Sequence, residues 1–132
     1  MEKKPETVLV VEDNESCATT LDLALSSVRG LKVIWARTAP EALLLLNEAH
    51  PEVRAVVTDL NMPRMSGLEL IESIRRDARH SRLPIIVVSG DTDPRAPERA
   101  RAAGANAYFP KPFSPARLRQ KLEQLLNASQ AL

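Results

Sequence analysis

The chain has 132 residues, with 18 Lys and Arg against 17 Asp and Glu and a formal net charge of +1. That length suits one domain over residues 1–132 with an ordinary hydrophobic core, and the near-cancelling charge provides no overall field toward nucleic acid, an anionic membrane or an acidic substrate. Cys17 is alone, no charged-then-apolar leader opens the chain, and no apolar run approaches the roughly 18 residues of a membrane span, so the protein reads as cytoplasmic and reduced.

The first apolar run, Thr7 to Val11, ends in the polar triplet Glu12, Asp13, Asn14. Cys17, Leu21, Ala24, Leu25 and Val28 follow at helical spacing, which predicts a helix with Cys17 as an inert thiol on its apolar stripe and Gly30 as its closing residue. A second run, Lys32 to Ala36, leads into Thr38-Ala39-Pro40-Glu41, a capping-box spacing with proline in the first turn. The leucine-rich helix after it places Leu43 to Leu46 around most of a turn, so at least one of them faces away from the core.

Ala55 to Thr58 is a continuous apolar run ending at Asp59; Asn61-Met62-Pro63 then breaks the chain, and Gly67 precedes a helix carrying Leu68, Ile71 and Ile74. Leu83-Pro84 introduces a fourth strand, Ile85 to Val88, which ends at Ser89-Gly90-Asp91. Pro94 and Pro97 delay a short alanine-rich helix that reaches about Ala103 and has little apolar surface to bury. Gly104 turns the chain into a short fifth strand, Ala107 to Pro110, and Ser114-Pro115 caps a last helix with Leu118, Leu122, Leu125 and Leu126 in one stripe.

Short apolar strands alternating with helices predict an α/β fold, a parallel sheet covered on both faces. In such sheets ligands bind outside the carboxyl ends of the strands. The residues there are Glu12 and Asp13 after the first strand, Asp59 after the third, Ser89 after the fourth and Lys111 after the fifth. Two carboxylates about 5 Å apart repel by roughly 3 kcal/mol at an effective dielectric near 20, so three together call for a cation or for bound protons. Oxygen donors without histidine or cysteine suit Mg²⁺ better than Zn²⁺. Taken singly, each residue has a plainer reading: Asp13 or Asn14 as a helix cap, Asp59 as a turn former, Lys111 as a solvated lysine, Tyr108 as a core edge.

Together these residues resemble a known family, the receiver domain of response regulators. The segment Val57-Thr58-Asp59-Leu60-Asn61-Met62-Pro63-Arg64-Met65-Ser66-Gly67 is similar to its phosphoacceptor segment, and the acidic pair, the Ser-Gly step and Lys111-Pro112 occur in the family's order at suitable spacings. The resemblance covers nearly the whole chain. It implies a doubly wound, flavodoxin-like five-stranded sheet of order 2-1-3-4-5. One departure is Ser66, where the family more often carries Asp.

The resemblance further implies that Asp59 accepts a phosphoryl group from a histidine kinase or phosphotransfer protein, with Mg²⁺ held by Asp13, Asp59 and the main-chain carbonyl of Asn61 and with Glu12 reaching it through water. Lys111 then pairs with a phosphoryl oxygen across a cis Lys111-Pro112 bond, Ser89 and Tyr108 form the switch, and side chains at Asn61 and Asp91 tune the phosphoryl lifetime. Gly90 leaves room for the phosphodonor. The switch helix after Ser89, the fifth strand and the last helix become the output surface for a downstream protein. The chain itself is expected to promote its own phosphotransfer without being an enzyme in the ordinary sense, as a monomer or weak dimer with no direct nucleic-acid or membrane contact.

Two competing readings are distinguishable. A phosphatase with a strand-end nucleophile would carry a second Asp two positions on, where this chain has Asn61, and nucleotide binding would need a glycine-rich phosphate loop that the chain lacks. A phosphate-independent interaction module of the same fold typically loses an acid or the lysine. Within the family the chain fits a stand-alone receiver, a phosphorelay shuttle, or a piece of a longer regulator. Of two basic sets, Arg75, Arg76, Arg79, His80 and Arg82 read as a solvated helix end, and Arg95, Arg99 and Arg101 on the switch helix as the better docking patch. His50 and His80 have no partner spacing that suggests chemistry.

Overall fold

The computed structural model describes residues 6–48 and 52–130. Five strands run β1 Glu6–Val11, β2 Leu31–Ala36, β3 Val53–Thr58, β4 Ile85–Ser89 and β5 Ala107–Pro110. Between and after them lie α1 Glu15–Ser26, α2 Ala39–Glu48, α3 Gly67–Arg76, α4 Ala96–Ala103 and α5 Pro115–Gln130, with a 3₁₀ turn at Ala78–His80. All neighbouring strands pair in parallel, in the order β2-β1-β3-β4-β5. This is the doubly wound arrangement expected above.

Successive side chains of a strand point to opposite faces, so a strand covered on both sides is apolar throughout. Leu9, Val11, Val56, Ile85 and Val87 pack on one face with Ala42 and Leu46 of α2, Leu70, Ile71 and Ile74 of α3 and Ala96 and Ala100 of α4. Val8, Val10, Ala55, Val57, Ile86 and Val88 pack on the other with Leu21 and Leu25 of α1 and Leu118, Leu122 and Leu126 of α5. Leu118 and Leu122 are fully buried, each contributing about 1.5–3 kcal/mol by removal from water. Of the α2 leucines Leu44 is the outward one, 63% exposed.

Several local expectations change. β1, β2 and β3 begin one or two residues earlier than their apolar runs, at Glu6, Leu31 and Val53, because ladder pairing with neighbours continues past the apolar stretch. α1 ends at Ser26, and Gly30, at φ 79°, makes the turn into β2 and gives its carbonyl to the Glu6 N–H at 2.7 Å. The buried stripe of α1 is Ala18, Leu21, Ala24 and Leu25, so Cys17 is half-buried beside Pro112 and Phe113 and is not a core thiol. At α2 the Thr38 hydroxyl accepts from the Glu41 N–H at 3.2 Å, while Glu41 accepts from the Arg37 N–H at 3.2 Å, one residue earlier than a standard capping box. His50 lies outside the described residues.

α3 begins with a full capping box: the Ser66 hydroxyl accepts from the Glu69 N–H and the Glu69 carboxylate accepts from the Ser66 N–H. A serine is as good an N-cap as an aspartate. Gly67 is required by space. A Cβ there would collide with the main-chain oxygen of Asp59 and lie 2.7 Å from Leu60 Cα, so its absence lets α3 sit directly behind the loop that leaves β3.

Candidate functional site

The carboxyl ends of β1 and β3 bring Glu12, Asp13 and Asp59 together, with one carboxylate oxygen of each within 4.8 Å of the others. Glu12 is 1% and Asp59 8% exposed, whereas Asp13 opens to solvent. Two buried carboxylates at this distance need a positive partner. Lys111, on the segment leaving β5, donates from Nζ to Glu12 Oε1 at 2.7 Å and to Asp59 Oδ2 at 3.2 Å.

Main-chain donors fix what remains. Asp59 Oδ1 accepts from the Leu60 N–H at 2.6 Å and the Asn61 N–H at 3.3 Å, and Glu12 Oε2 accepts from the Asn14 N–H at 3.2 Å. Among the described residues none donates to the Asp13 carboxylate, which leaves it free to ligate. Burial lifts the Glu12 pKa above the ordinary glutamate value, against the hydrogen bonds from Lys111 and Asn14 that lower it. Burial also works against the Lys111 ammonium, but its hydrogen bond to Glu12 and the charges of Asp59 and Glu12 outweigh that and hold its pKa above the ordinary lysine value. One ammonium among three carboxyl groups leaves an all-oxygen donor set with surplus negative charge, the chemistry of a hard divalent cation.

Ser89 ends β4 at 1% exposure. Its hydroxyl accepts from the Asp91 N–H at 3.0 Å, and its carbonyl accepts from the Lys111 N–H at 2.8 Å, which fixes the lysine backbone against β4. Asn61 Nδ2 donates to Asp91 Oδ2 at 3.3 Å, tying the loops after β3 and β4 to each other. A Cβ on Gly90 would have only Lys111 Cδ near it, at 3.9 Å, so packing does not demand glycine there and open space lies above the lysine. The Lys111-Pro112 bond is cis. Tyr108 is half-buried on β5, opposite Val87, and lines an open cleft of about 540 Å³ with Pro97, Ala100, Arg101 and Ala105. It faces α4 and is not among the contacts of the charged cluster.

Other residues bear on the site without an obvious sequence signal. Trp35 Nε1 donates to the Glu12 carbonyl at 2.8 Å. Arg75 does not belong to a solvated basic end: its guanidinium donates to the carbonyls of Gly104 at 2.8 and 3.0 Å, His80 at 3.1 Å and Ser81 at 3.3 Å, and to Asn106 Oδ1 at 3.0 Å. It thereby fastens the α4–β5 turn to α3. Arg79 pairs with Asp77, whose carboxylate also lies 3.6 Å from His80, and Arg95 and Arg99 flank Asp93. Arg101 lines the cleft beside Tyr108. No helix among the described residues is long and apolar enough to cross a membrane.

Residues 8–123 match the response regulator receiver domain family model. The chain is 34% identical over 122 residues to the chemotaxis protein CheY1 of Helicobacter pylori, covering 92% of this chain and 98% of that protein. It is 32% identical over 121 residues to the polar-differentiation response regulator DivK of Brucella ovis, covering 92% and 96%. A crystal structure of a putative response regulator from Chloroflexus aurantiacus superposes with a TM-score of 0.87 at 31% identity, over 94% of this chain and 99% of that one. A match across most of the domain, with full-length relatives of the same kind and the same fold, makes this chain a member of the response regulator receiver domain family.

Proposed function

We propose that the chain is a single receiver domain whose phosphoacceptor is Asp59. Receiver domains act in two-component signalling as phosphoacceptors that work with histidine kinases and downstream targets. Here the reading is carried by one observation: the Asp59 carboxylate ends β3 within an acidic cluster and touches a lysine ammonium at 3.2 Å. In the proposed step an Asp59 oxygen attacks the phosphorus of a phosphohistidine on a kinase or phosphotransfer protein. The P–N bond breaks, the histidine nitrogen keeps the electron pair, and an acyl phosphate results.

Asp13, Asp59 and the Asn61 main-chain carbonyl would hold Mg²⁺ directly, with Glu12 reaching it through water, and the ion supplies charge neutralisation to the transferring group. Lys111 neutralises a phosphoryl oxygen as a compact point charge. The Ser89 hydroxyl accepts from Asp91 and keeps its own proton to donate to the new phosphoryl oxygens. Asn61 and Asp91, already joined, flank the path of attacking water and set the phosphoryl lifetime.

For output, the proposed moving element is α4, whose start is lightly held: its N-cap Arg95 makes no side-chain cap bond, and of the helix only Ala96 and Ala100 are buried. A shift of Ser89 lets Tyr108 turn inward and alters the α4–β5–α5 surface offered to a downstream protein in the cytoplasm, without nucleic-acid or membrane contact and without a stable oligomer. The phosphate-independent alternative gains nothing, since Glu12, Asp13, Asp59, Ser89 and Lys111 are all in place.

Incubation of the protein and its Asp59→Asn variant with acetyl phosphate, with Mg²⁺ or with chelator, followed by intact mass measurement, tests the reading. One phosphoryl adduct on the unmodified protein, dependent on Mg²⁺, is expected. Equal labelling of the variant would remove Asp59 from its role.

A further inference from the structure

We propose that Trp35, the one tryptophan of the chain, is a positioning residue for the metal-binding acids, an inference that rests on the assignment of the acidic cluster as the Mg²⁺ site. β1 and β2 pair as far as Val11 and Ala36, and the last rung is the Glu12 N–H to the Ala36 carbonyl at 3.1 Å. Beyond that rung the chain leaves the sheet. The Glu12 carbonyl therefore has no strand partner, and the indole N–H of Trp35 supplies one at 2.8 Å from 23 residues away.

The indole is itself held. It is half-buried on the edge strand, it borders a small gap with Val10, Ala18, Thr19, Asp22 and Val33, and the Arg37 guanidinium lies 4.5 Å over its ring. On the far side of the acid pair, Asn14 caps α1 through the Cys17 N–H at 3.0 Å and gives its own N–H to Glu12 at 3.2 Å. Asp13 thus sits between two pinned peptides. Its exposed carboxylate has no hydrogen-bond donor among the described residues, so its aim depends on the backbone that carries it, held upstream by Trp35 and downstream by the α1 cap.

Mg²⁺ tolerates little departure from octahedral geometry, and partners that hold its ligands change metal affinity about 10- to 100-fold when lost. Because Trp35 holds the peptide and not a ligand atom, the lower end applies.

The test uses two variants and no phosphorylation. Trp35→Phe keeps an aromatic ring but loses the donor, and a tryptophan analogue with sulfur in place of the indole N–H, installed at the same position, removes the donor alone. Mg²⁺ is titrated into each full chain by calorimetry, with thermal melts in chelator as the fold control. Both are expected to bind Mg²⁺ roughly tenfold more weakly, and the analogue to do so with its metal-free melt unchanged. An analogue that binds with the Kd of the unmodified protein overturns the inference, including when Trp35→Phe alone is weakened, since ring packing would then be the cause. If the unmodified protein binds no Mg²⁺, the acidic-site reading falls first and this inference with it.

Discussion

The closest backbone approach in the site lends itself to a direct perturbation, Gly67→Ala. The added Cβ would overlap the Asp59 carbonyl oxygen and sit 2.7 Å from Leu60 Cα and 2.9 Å from the Asp59 carbonyl carbon. Ordinary carbon contacts lie at about 3.5–4 Å, and all three atoms are backbone, so no side-chain rotation relieves the clash. The start of α3 must retreat by about 1 Å, which also stretches the 2.8 Å bond from the Gly67 N–H to the Leu60 carbonyl. Overpacking costs about 1–3 kcal/mol and the weakened bond about 1 kcal/mol. Alanine's better helix propensity returns up to about 1 kcal/mol. The net expectation is a loss of about 1–3 kcal/mol, or about 3–10 °C in Tm for a domain of this size.

The function should suffer more than the fold. The clash acts on the peptide of Asp59 itself, and displacement of a reacting group by about 1 Å costs on the order of 100-fold in rate. Urea melts give the stability change, and the initial rate of labelling by acetyl phosphate gives the functional one. Gly90→Ala is the control, because open space receives its Cβ; its melt should be unchanged. If Gly67→Ala matches Gly90→Ala in stability and labels at the parental rate, the steric account of this approach is wrong.

Arg75→Met removes donors from the Gly104, His80 and Ser81 carbonyls and from Asn106, and should cost about 2–4 kcal/mol in a urea melt, with faster amide exchange at the α4–β5 turn. Leu122→Ala, at a fully buried position of α5, should cost about 2–5 kcal/mol by the same assay. For Asp77, the hydrogen bond from Arg79 lowers the pKa from 3.8 to about 2. A depressed carboxylate pKa contributes stability that is present above about pH 4 and lost as pH falls toward 2. Asp77→Asn should therefore be less stable than the parent at pH 5, and the two urea midpoints should converge near pH 2; a constant offset across that range would contradict the assigned cause.

Much of the architecture was legible because strands buried on both faces are continuous apolar runs, and because the polar residue closing each run falls on one edge of the sheet. Glu12, Asp59, Ser89 and Lys111 stand out by that rule as residues of one sheet edge, and their adjacency in space follows from strand order. What stayed hidden depends on contacts between segments distant in sequence. Arg75 reads as one more charge in a basic run until Gly104 and Asn106, about thirty residues on, are folded against it. Trp35 reads as an apolar strand residue, and its polar edge matters only because the Glu12 carbonyl emerges beside it. Gly67 reads as loop punctuation, whereas its role is the close approach to Asp59. Cys17 reads as a core thiol because helical spacing leaves the buried stripe undetermined by one residue when small and apolar residues adjoin, and the structure puts Ala18 on that stripe instead.

If Asp59 is the phosphoacceptor, the phosphoryl group is bonded covalently to its carboxylate, and that bond can be mapped to a single residue. Protein labelled with acetyl phosphate and Mg²⁺ can be reduced with borohydride, which converts an aspartyl phosphate to homoserine, and the modified peptide can be sequenced by mass spectrometry. Homoserine at position 59 is the predicted result. Homoserine at position 13 instead, or a phosphoryl adduct that borohydride leaves untouched, would contradict the assignment of Asp59 as the phosphoacceptor.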